Sequence, residues 1–368
     1  MKHWILLLII FLLVLPVQAE ELPEISAKSA VVLEYATGAV PYAKNAESRL
    51  PMASTTKIMT ALVALESGNP SDTVTIGPNA VGVEGSSMYL KAGEQMTLEE
   101  LLYGLMLSSG NDAAVAIAEH IAGSEAAFAE RMTARAQELG CINTQFKNAN
   151  GLPDDEHYTT ALELARITGK ALEHEKFREI VSTKSKRIGT RTLSNHNKML
   201  SLYEGAVGVK TGYTKAAGRT LVSAAERDGI TLIAVTLNAP DDWDDHTKML
   251  DYSFSGMERR VITRKNTYAG IVPVEGGTME VVHICFGADF SLSVVKTAET
   301  EIKMKLPPSV QAPVAAGQEV GSGEVLVNGV KMGEVPLLTA AVVEQETAPA
   351  FRDYLYMVFV RWIAIYIK

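Results

Sequence analysis

The sequence predicts an α+β fold: an antiparallel sheet with a helical subdomain, followed by a small all-β domain. Three observations lead there. Strand-like apolar runs stand at both ends of the first two thirds, at residues 30–34 and again at 220–226 and 230–238. The last two flank Asp228-Gly229, a hairpin signal. Between these ends the apolar residues recur at helical spacing. Beyond Val261 the character changes: short valine-rich runs alternate with Gly276-Gly277, Gly317-Gln318 and Asn328-Gly329, and helical periodicity is absent.

A chain of 368 residues suggests about two domains, here 22–256 and 261–345. Its 47% hydrophobic and 21% charged residues describe a globular protein with a sizeable core. A net charge of −9 and a pI near 5.4 argue against a nucleic-acid partner.

The first 19 residues read as a secretory leader. Lys2 and His3 give a positive start, residues 4–15 are apolar, Pro16 breaks the run, and Val17-Gln18-Ala19 is a small-residue cleavage site. The run is too short to span a bilayer comfortably. The protein is therefore expected to be exported and to work outside the membrane.

Residues 30–34 then form a strand that turns at Ala36-Thr37-Gly38. A helix opens at Ser54, with a stripe of Met59, Leu62, Val63 and Leu65 and a stop at Gly68. Thr97-Leu98-Glu99-Glu100 is a capping box for the next helix, which Gly110 breaks before residues 113–121 resume it. Helices also start at Ser124 and at Thr160, where Glu163 completes a second box pattern. Residues 207–211 read as a short strand and 243–254 as a helix.

Three short motifs carry the chemistry: Ser54-Thr55-Thr56-Lys57, Ser109-Gly110-Asn111 and Lys210-Thr211-Gly212. Serine is a weak nucleophile without an adjacent base. Ser54 and Lys57, three apart on a helix, share one face. Lys57 must be neutral to accept a proton, and burial or a nearby cation such as Lys210 would make it so. A lysine on the nearly all-apolar helix that follows requires a reason. The second motif sits at a turn between helices, and Gly212 allows a substrate to approach the backbone closely.

In this order the motifs resemble those of the penicillin-binding proteins, specifically the serine-type D-alanyl-D-alanine carboxypeptidases, and the likeness covers nearly the whole chain. The resemblance implies a β-lactamase/transpeptidase-like catalytic domain. It makes Ser54 the acyl-ester nucleophile, Lys57 the general base and Ser109 the proton relay. Asn111 would bond the substrate backbone and Lys57. Lys210 and Thr211 would hold the terminal carboxylate beside Gly212, and the N–H groups of Ser54 and Tyr213 would form the oxyanion hole. The implied partners are peptidoglycan pentapeptides ending in D-Ala-D-Ala and β-lactam antibiotics; no cofactor and no metal is expected. In the family the C-terminal β domain lifts the catalytic domain from the membrane.

Two further stretches look like the family: Asn150-Gly151-Leu152-Pro153 with His157-Tyr158-Thr159-Thr160, and Ser194-Asn195-His196-Asn197-Lys198. They read as loops framing the cleft, with His157 and His196 structural. Some relatives carry an arginine that holds the substrate carboxylate, but the corresponding stretch here is Asp241-Asp242-Trp243-Asp244-Asp245-His246. Arg219, Lys248, or Lys210 with Thr211 alone remain for that task. The acidic stretch itself fits a helix N-terminus better than a metal site. Cys141 and Cys285 fall in different predicted domains and read as separate thiols. The basic run 184–191 reads as a solvated edge or loop.

Residues 350–368 read as an amphipathic helix lying in the membrane interface, with Asp353, Arg361 and Lys368 on one face and Leu355, Phe359 and Trp362 away from it. Two rival functions remain. A class A-like β-lactamase would need a deacylating glutamate, and Glu156 and Glu163 lie in the relevant interval without the expected context. A non-catalytic wall-binding protein could have lost Ser54, Lys57 or Ser109, and has lost none.

Overall fold

The computed structural model describes residues 21–347 and 351–366; the expected leader lies outside the described residues. The structure up to Gly256 is built on a five-stranded antiparallel sheet. Its spatial order is Tyr42–Lys44, Ser29–Glu34, Ile230–Leu237, Gly218–Arg227, Ala206–Thr214. Ser29–Glu34 pairs with Ile230–Leu237 along its whole length, from Ser29↔Leu237 to Glu34↔Leu232. The two ends of this part of the chain are thus joined at the middle of the sheet.

Side chains of a strand alternate between its faces, and both faces here are covered. Val31, Leu33, Val222, Ile233 and Val235 point into the core shared with the helical subdomain. Ala30, Val32, Leu221, Leu232 and Ala234 point into a second core closed by Met249 and Leu250 of the helix Asp242–Ser255. The central helix of the subdomain, Lys57–Ser67, is buried from Lys57 through Ala64 and ends at Gly68. Helices Leu98–Leu107, Asn111–Ala122, Glu125–Glu138 and Ala161–Leu172 pack around it.

Local signals hold to different degrees. At Thr97 both arms of the capping box form. At Thr160 only one does: its hydroxyl accepts the Glu163 N–H at 3.1 Å. The Glu163 carboxylate turns instead to the Asn143 N–H at 2.9 Å and the Thr144 hydroxyl at 2.5 Å. Donors from a neighbouring loop have displaced the helix's own N-terminal N–H. The hairpin turns Asp228-Gly229 and Asn328-Gly329 have positive φ at both positions, as that type of tight turn requires.

The acidic stretch opens the helix Asp242–Ser255 and ties it down. Asp245 accepts the Ser26 N–H and hydroxyl and the Ala27 N–H at 2.8–2.9 Å. Asp242 accepts Arg219, and Asp244 pairs with Lys248. His246 lies between the hydroxyls of Ser223 (2.6 Å) and Thr236 (2.9 Å) under the sheet. These partnerships place the stretch at the N-terminus of a helix, as its acidic residues suggest.

Beyond Gly256 the chain forms a two-stranded pair, Met257–Thr263 with Phe290–Val295, and a six-stranded sheet. That sheet runs Thr300–Lys305, Glu319–Val327, Val330–Thr339, Val281–Phe286, Tyr268–Glu275, Val310–Gln311. Its core is mostly valine, with Ile284 and Leu337. Cys141 and Cys285 are free thiols, and burial pushes Cys141 up to about 12. The helix Phe351–Tyr366 follows, with Tyr354, Tyr356, Phe359, Trp362 and Ile365 all exposed.

Burial holds His246 down to about 3 and His157 down to about 4, against 6.5 for a free histidine. The unfolded chain binds protons that the native state refuses, so stability is full above pH 6.5 and falls as the pH drops toward these values. Urea unfolding across pH 7 to 4 should show this loss, with a shallower slope for His246→Gln. An unchanged slope in that variant would remove His246 from the explanation.

Candidate active site

Ser54 lies in a single 3₁₀ turn, Ala53–Thr56, that leads into the helix Lys57–Ser67. The residue before it, Ala53, has φ +48, a left-handed conformation that costs a residue with a Cβ about 1–2 kcal/mol. The loop across the cleft locks this turn. A Cβ on Gly151 would stand 2.0 Å from the Ala53 carbonyl oxygen, so only glycine allows the two backbones to touch. Ser109, in the second motif, is also left-handed at φ +59. Strained backbone of this kind persists where surrounding structure over-determines it.

Lys57 has no solvent exposure. Its Nζ reaches Ser54 Oγ at 3.0 Å, Asn111 Oδ1 at 2.6 Å and the Asn150 carbonyl oxygen at 2.6 Å. Burial, and then the charge of Lys210, hold its pKa well below the usual lysine range. A neutral amine has two N–H donors and one lone pair. The two short carbonyl contacts take the donors, which leaves the lone pair for the Ser54 hydroxyl.

Lys210 is also buried, and that burial alone pushes it down to about 7. Its Nζ donates to the Thr211 carbonyl at 2.8 Å. Gly212 lies flush against the serine turn: a Cβ there would stand 2.9 Å from the Ser54 nitrogen and 2.4 Å from Thr220 Oγ1. Thr220 donates to the Met52 carbonyl at 3.1 Å, which clamps the strand to the turn from the next strand in. Tyr213 follows with its ring in solvent.

The second motif bridges helices Leu98–Leu107 and Asn111–Ala122. Asn111 is fixed at both ends of its amide: Oδ1 accepts from Lys57, and Nδ2 donates to the Glu84 carbonyl at 2.5 Å. Buried Asp112 holds the same covering loop through the Ser87 hydroxyl at 2.6 Å and the Met88 N–H at 3.0 Å. No hydrogen bond joins the Ser109 hydroxyl to Lys57 among the described residues.

The remaining residues singled out in the sequence separate clearly. His157 is structural: Nε2 meets the Thr56 hydroxyl at 2.7 Å and Nδ1 accepts the Lys147 N–H at 3.1 Å. His196 opens to solvent, and its pKa is lowered by partial burial and by Lys210. Arg219 pairs across strands with Tyr213, bonds Asp242 at 2.8 Å and lies over the Trp243 ring. Its neighbour Thr220 faces the serine turn, so Arg219 points to the opposite face of the sheet. The basic run forms a hairpin, Ser185–Ile188 with Arg191–Ser194; from 184 to 191 it is solvated at every position but Ile188, and partly at Arg191. Arg191 pairs with Glu94 at 2.6 Å and bonds the Met88 carbonyl, and Lys186 covers the Tyr103 ring.

The carbonyl of Asn150 is the contact that sequence reasoning missed. The cluster Asn148-Ala149-Asn150-Gly151 signals a sharp, self-bonded turn. Nothing in it says which backbone oxygen faces the cleft.

Residues 16–241 match the family model of D-alanyl-D-alanine carboxypeptidases, and residues 258–345 match that of the penicillin-binding protein 5 C-terminal domain. The chain is 36% identical over 329 residues to the D-alanyl-D-alanine carboxypeptidase DacF of Bacillus subtilis, covering 84% of each. It is 31% identical over 348 residues to DacC of Escherichia coli, covering 89% of this chain and 87% of that one. Its fold superposes on penicillin-binding protein 5 from Haemophilus influenzae with TM-score 0.69 and 30% identity, over 89% of this chain and all of that one.

Gly212→Ala places a methyl group against the Ser54 N–H and should slow reaction at Ser54 at least ~10-fold, the scale of a misplaced oxyanion donor. Acylation kinetics with a penicillin, beside thermal unfolding, read this out. Wild-type kinetics in a folded variant would mean that the strand need not lie so close.

Proposed function

The chain belongs to the D-alanyl-D-alanine carboxypeptidase family, and we propose that Ser54 is the nucleophile through which it works. The enzyme is a serine-type D-Ala-D-Ala carboxypeptidase that releases the terminal D-alanine of peptidoglycan stem peptides, and its fold binds penicillin. The observation that carries the reading is the fully buried Lys57, with its amine 3.0 Å from Ser54 Oγ and two carbonyls taking its N–H groups.

In this scheme Ser54 Oγ attacks the carbonyl of the penultimate D-alanine while Lys57 takes its proton. The N–H groups of Ser54 and Tyr213 hold the tetrahedral oxyanion. Ser109 passes the proton to the leaving amine, and Asn111 bonds the substrate backbone. Lys210 and Thr211 hold the terminal carboxylate. D-Alanine leaves, and water resolves the ester with Lys57 again as base. Penicillin acylates the same serine. The carboxylate falls to Lys210 and Thr211 because Arg219 and Lys248 are occupied by Asp242 and Asp244.

Intact-mass spectrometry after addition of a penicillin tests the assignment. A one-to-one adduct should persist for many minutes in the wild type and be absent from Ser54→Ala. Lys57→Ala should slow acylation by at least ~10³-fold, since nucleophile and base act as a unit. Rapid turnover of the adduct would favour a β-lactamase, and an adduct in Ser54→Ala would remove the nucleophile assignment.

We also propose the division of the chain that its sequence suggests: a leader at 1–19, a catalytic domain at 22–256, a β-rich domain at 261–345, and an interfacial helix at 350–368 on the outer face of the cell membrane. The exposed aromatic and aliphatic side chains of the helix Phe351–Tyr366 support the last of these. No helix among the described residues is long and apolar enough to cross a membrane. The full-length protein should sediment with lipid vesicles, whereas a chain cut after Thr347 should stay in the supernatant. Co-sedimentation of the shortened chain would end the anchor reading.

A further inference from the structure

Lys57 is oriented by two carbonyl oxygens of different kinds. Asn111 Oδ1 belongs to a side chain on a rigid helix. The Asn150 oxygen belongs to a loop backbone and is only as well placed as that loop. Most bonds that shape the loop are local. Asn148 Oδ1 accepts the Gly151 N–H at 2.8 Å, Asn148 Nδ2 donates to the Leu152 carbonyl at 3.0 Å, and Asn150 Oδ1 accepts the Leu152 N–H at 2.9 Å. Local bonds fix the shape of the turn but not its distance from Lys57.

Besides the backbone contact of Gly151 with Ala53, two side chains set that distance from outside. The Thr60 hydroxyl, one turn along from Lys57, donates to the Ala149 carbonyl at 2.6 Å. Glu125 Oε1 accepts the Asn150 Nδ2–H at 3.0 Å and the Ala149 N–H at 3.1 Å. Glu125 is the first residue of the helix Glu125–Glu138, capped by Ser124, where the helix N-terminus favours a carboxylate. It therefore ties the loop to a rigid element, and it holds the very residue, 3% exposed, whose carbonyl meets Lys57.

We propose that Glu125 is a positioning residue for acylation, holding the Asn150 carbonyl where it takes one N–H of Lys57 and leaves the amine's lone pair on Ser54. The inference rests on the Ser54–Lys57 assignment above. Glu125 acts in two ways. It braces the loop, and it places a negative charge near the amine. The charged and titratable groups around Lys57 are Lys210 from the edge strand, Asp112 from the helix Asn111–Ala122, Glu125, and neutral His157 across the loop. The two carboxylates favour the ammonium and Lys210 opposes it, so loss of the Glu125 charge lowers the Lys57 pKa further.

The two effects come apart in two variants of the full-length protein. Penicillin acylation rates measured from pH 5 to 9, with thermal unfolding alongside, give the readout. Glu125→Ala removes both brace and charge, and should slow acylation by ~10–100-fold near neutral pH, the scale of an ångström-level misplacement. Glu125→Gln keeps an acceptor oxygen and removes only the charge. It should recover most of the rate and move the acid limb of the profile to lower pH, because Lys57 then stays neutral further into acid. A purely structural residue would not move that limb. Acylation of folded Glu125→Ala within about twofold of wild type would overturn the brace. A wild-type acid limb in Glu125→Gln would overturn the proposal even if the alanine variant failed to fold. Ser54→Ala separates the two readings: loss of its adduct beside undiminished Glu125→Ala would sink the brace alone, whereas an adduct in Ser54→Ala would sink the nucleophile and the brace with it.

Discussion

A lysine with no solvent exposure is the constraint that organises this molecule. An ammonium at the Lys57 position would give up its hydration at a cost of several kcal/mol and would face the Lys210 cation. The fold does not neutralise it with a close carboxylate, as a structural salt bridge would. Asp112 and Glu125 are near enough to be felt, but their oxygens accept N–H and O–H groups of the covering loops. The contacts to Nζ itself are two carbonyls and a hydroxyl. That set carries no countercharge, so burial and the Lys210 cation decide in favour of the neutral amine. The burial penalty thereby leaves a neutral amine 3.0 Å from the serine hydroxyl, as the proposed base requires.

Placing those groups requires three chain segments to meet without filling the space between them. The serine turn is gripped on one side by Gly151 and on the other by Gly212, each with its missing side chain aimed at backbone of residues 53–54. Pairing of Ser29–Glu34 with Ile230–Leu237 makes this possible, because it closes the domain and sets the remaining strands in order toward the cleft. The helix Asp242–Ser255 supports the far face, with His246 bonded to hydroxyls of two central strands. The edge strand that carries Lys210 is thus backed by a rigid sheet. It can present its backbone to a ligand without being free to move.

The sequence made much of this legible, and the failures are informative. The strands, the glycine turns and the capping box at Thr97 depend on residues close in the chain, and they appear as read. The three motifs were recognisable by residue type and order, and the structure brings Ser54, Lys57, Asn111, Lys210 and Gly212 together. What could not be read depends on partners distant in sequence. Glu163 leaves its helix cap for Asn143 and Thr144. Ala53 and Ser109 adopt conformations for which glycine would be the usual signal. Arg219 sits next to Thr220, yet the pleat turns it to the wrong side of the sheet for the cleft. The Asn150 contact is made by a backbone atom, which no residue type announces.

The same placement of carboxylates bears on the fate of the proposed acyl-enzyme. Rapid hydrolysis in a β-lactamase needs a carboxylate free to activate water beside the ester. Here Glu163 is held by Asn143 and Thr144, Glu156 pairs with Lys147 at the surface, and Glu125 and Asp112 bind the covering loops. In the proposed scheme Lys57 serves as the base for both half-reactions. With a peptide substrate D-alanine departs, and water can enter the space it leaves beside Lys57. With penicillin the amine that would leave stays tethered through the opened ring and occupies that space. A site with one base therefore distinguishes its substrate from its inhibitor by whether the leaving group actually leaves.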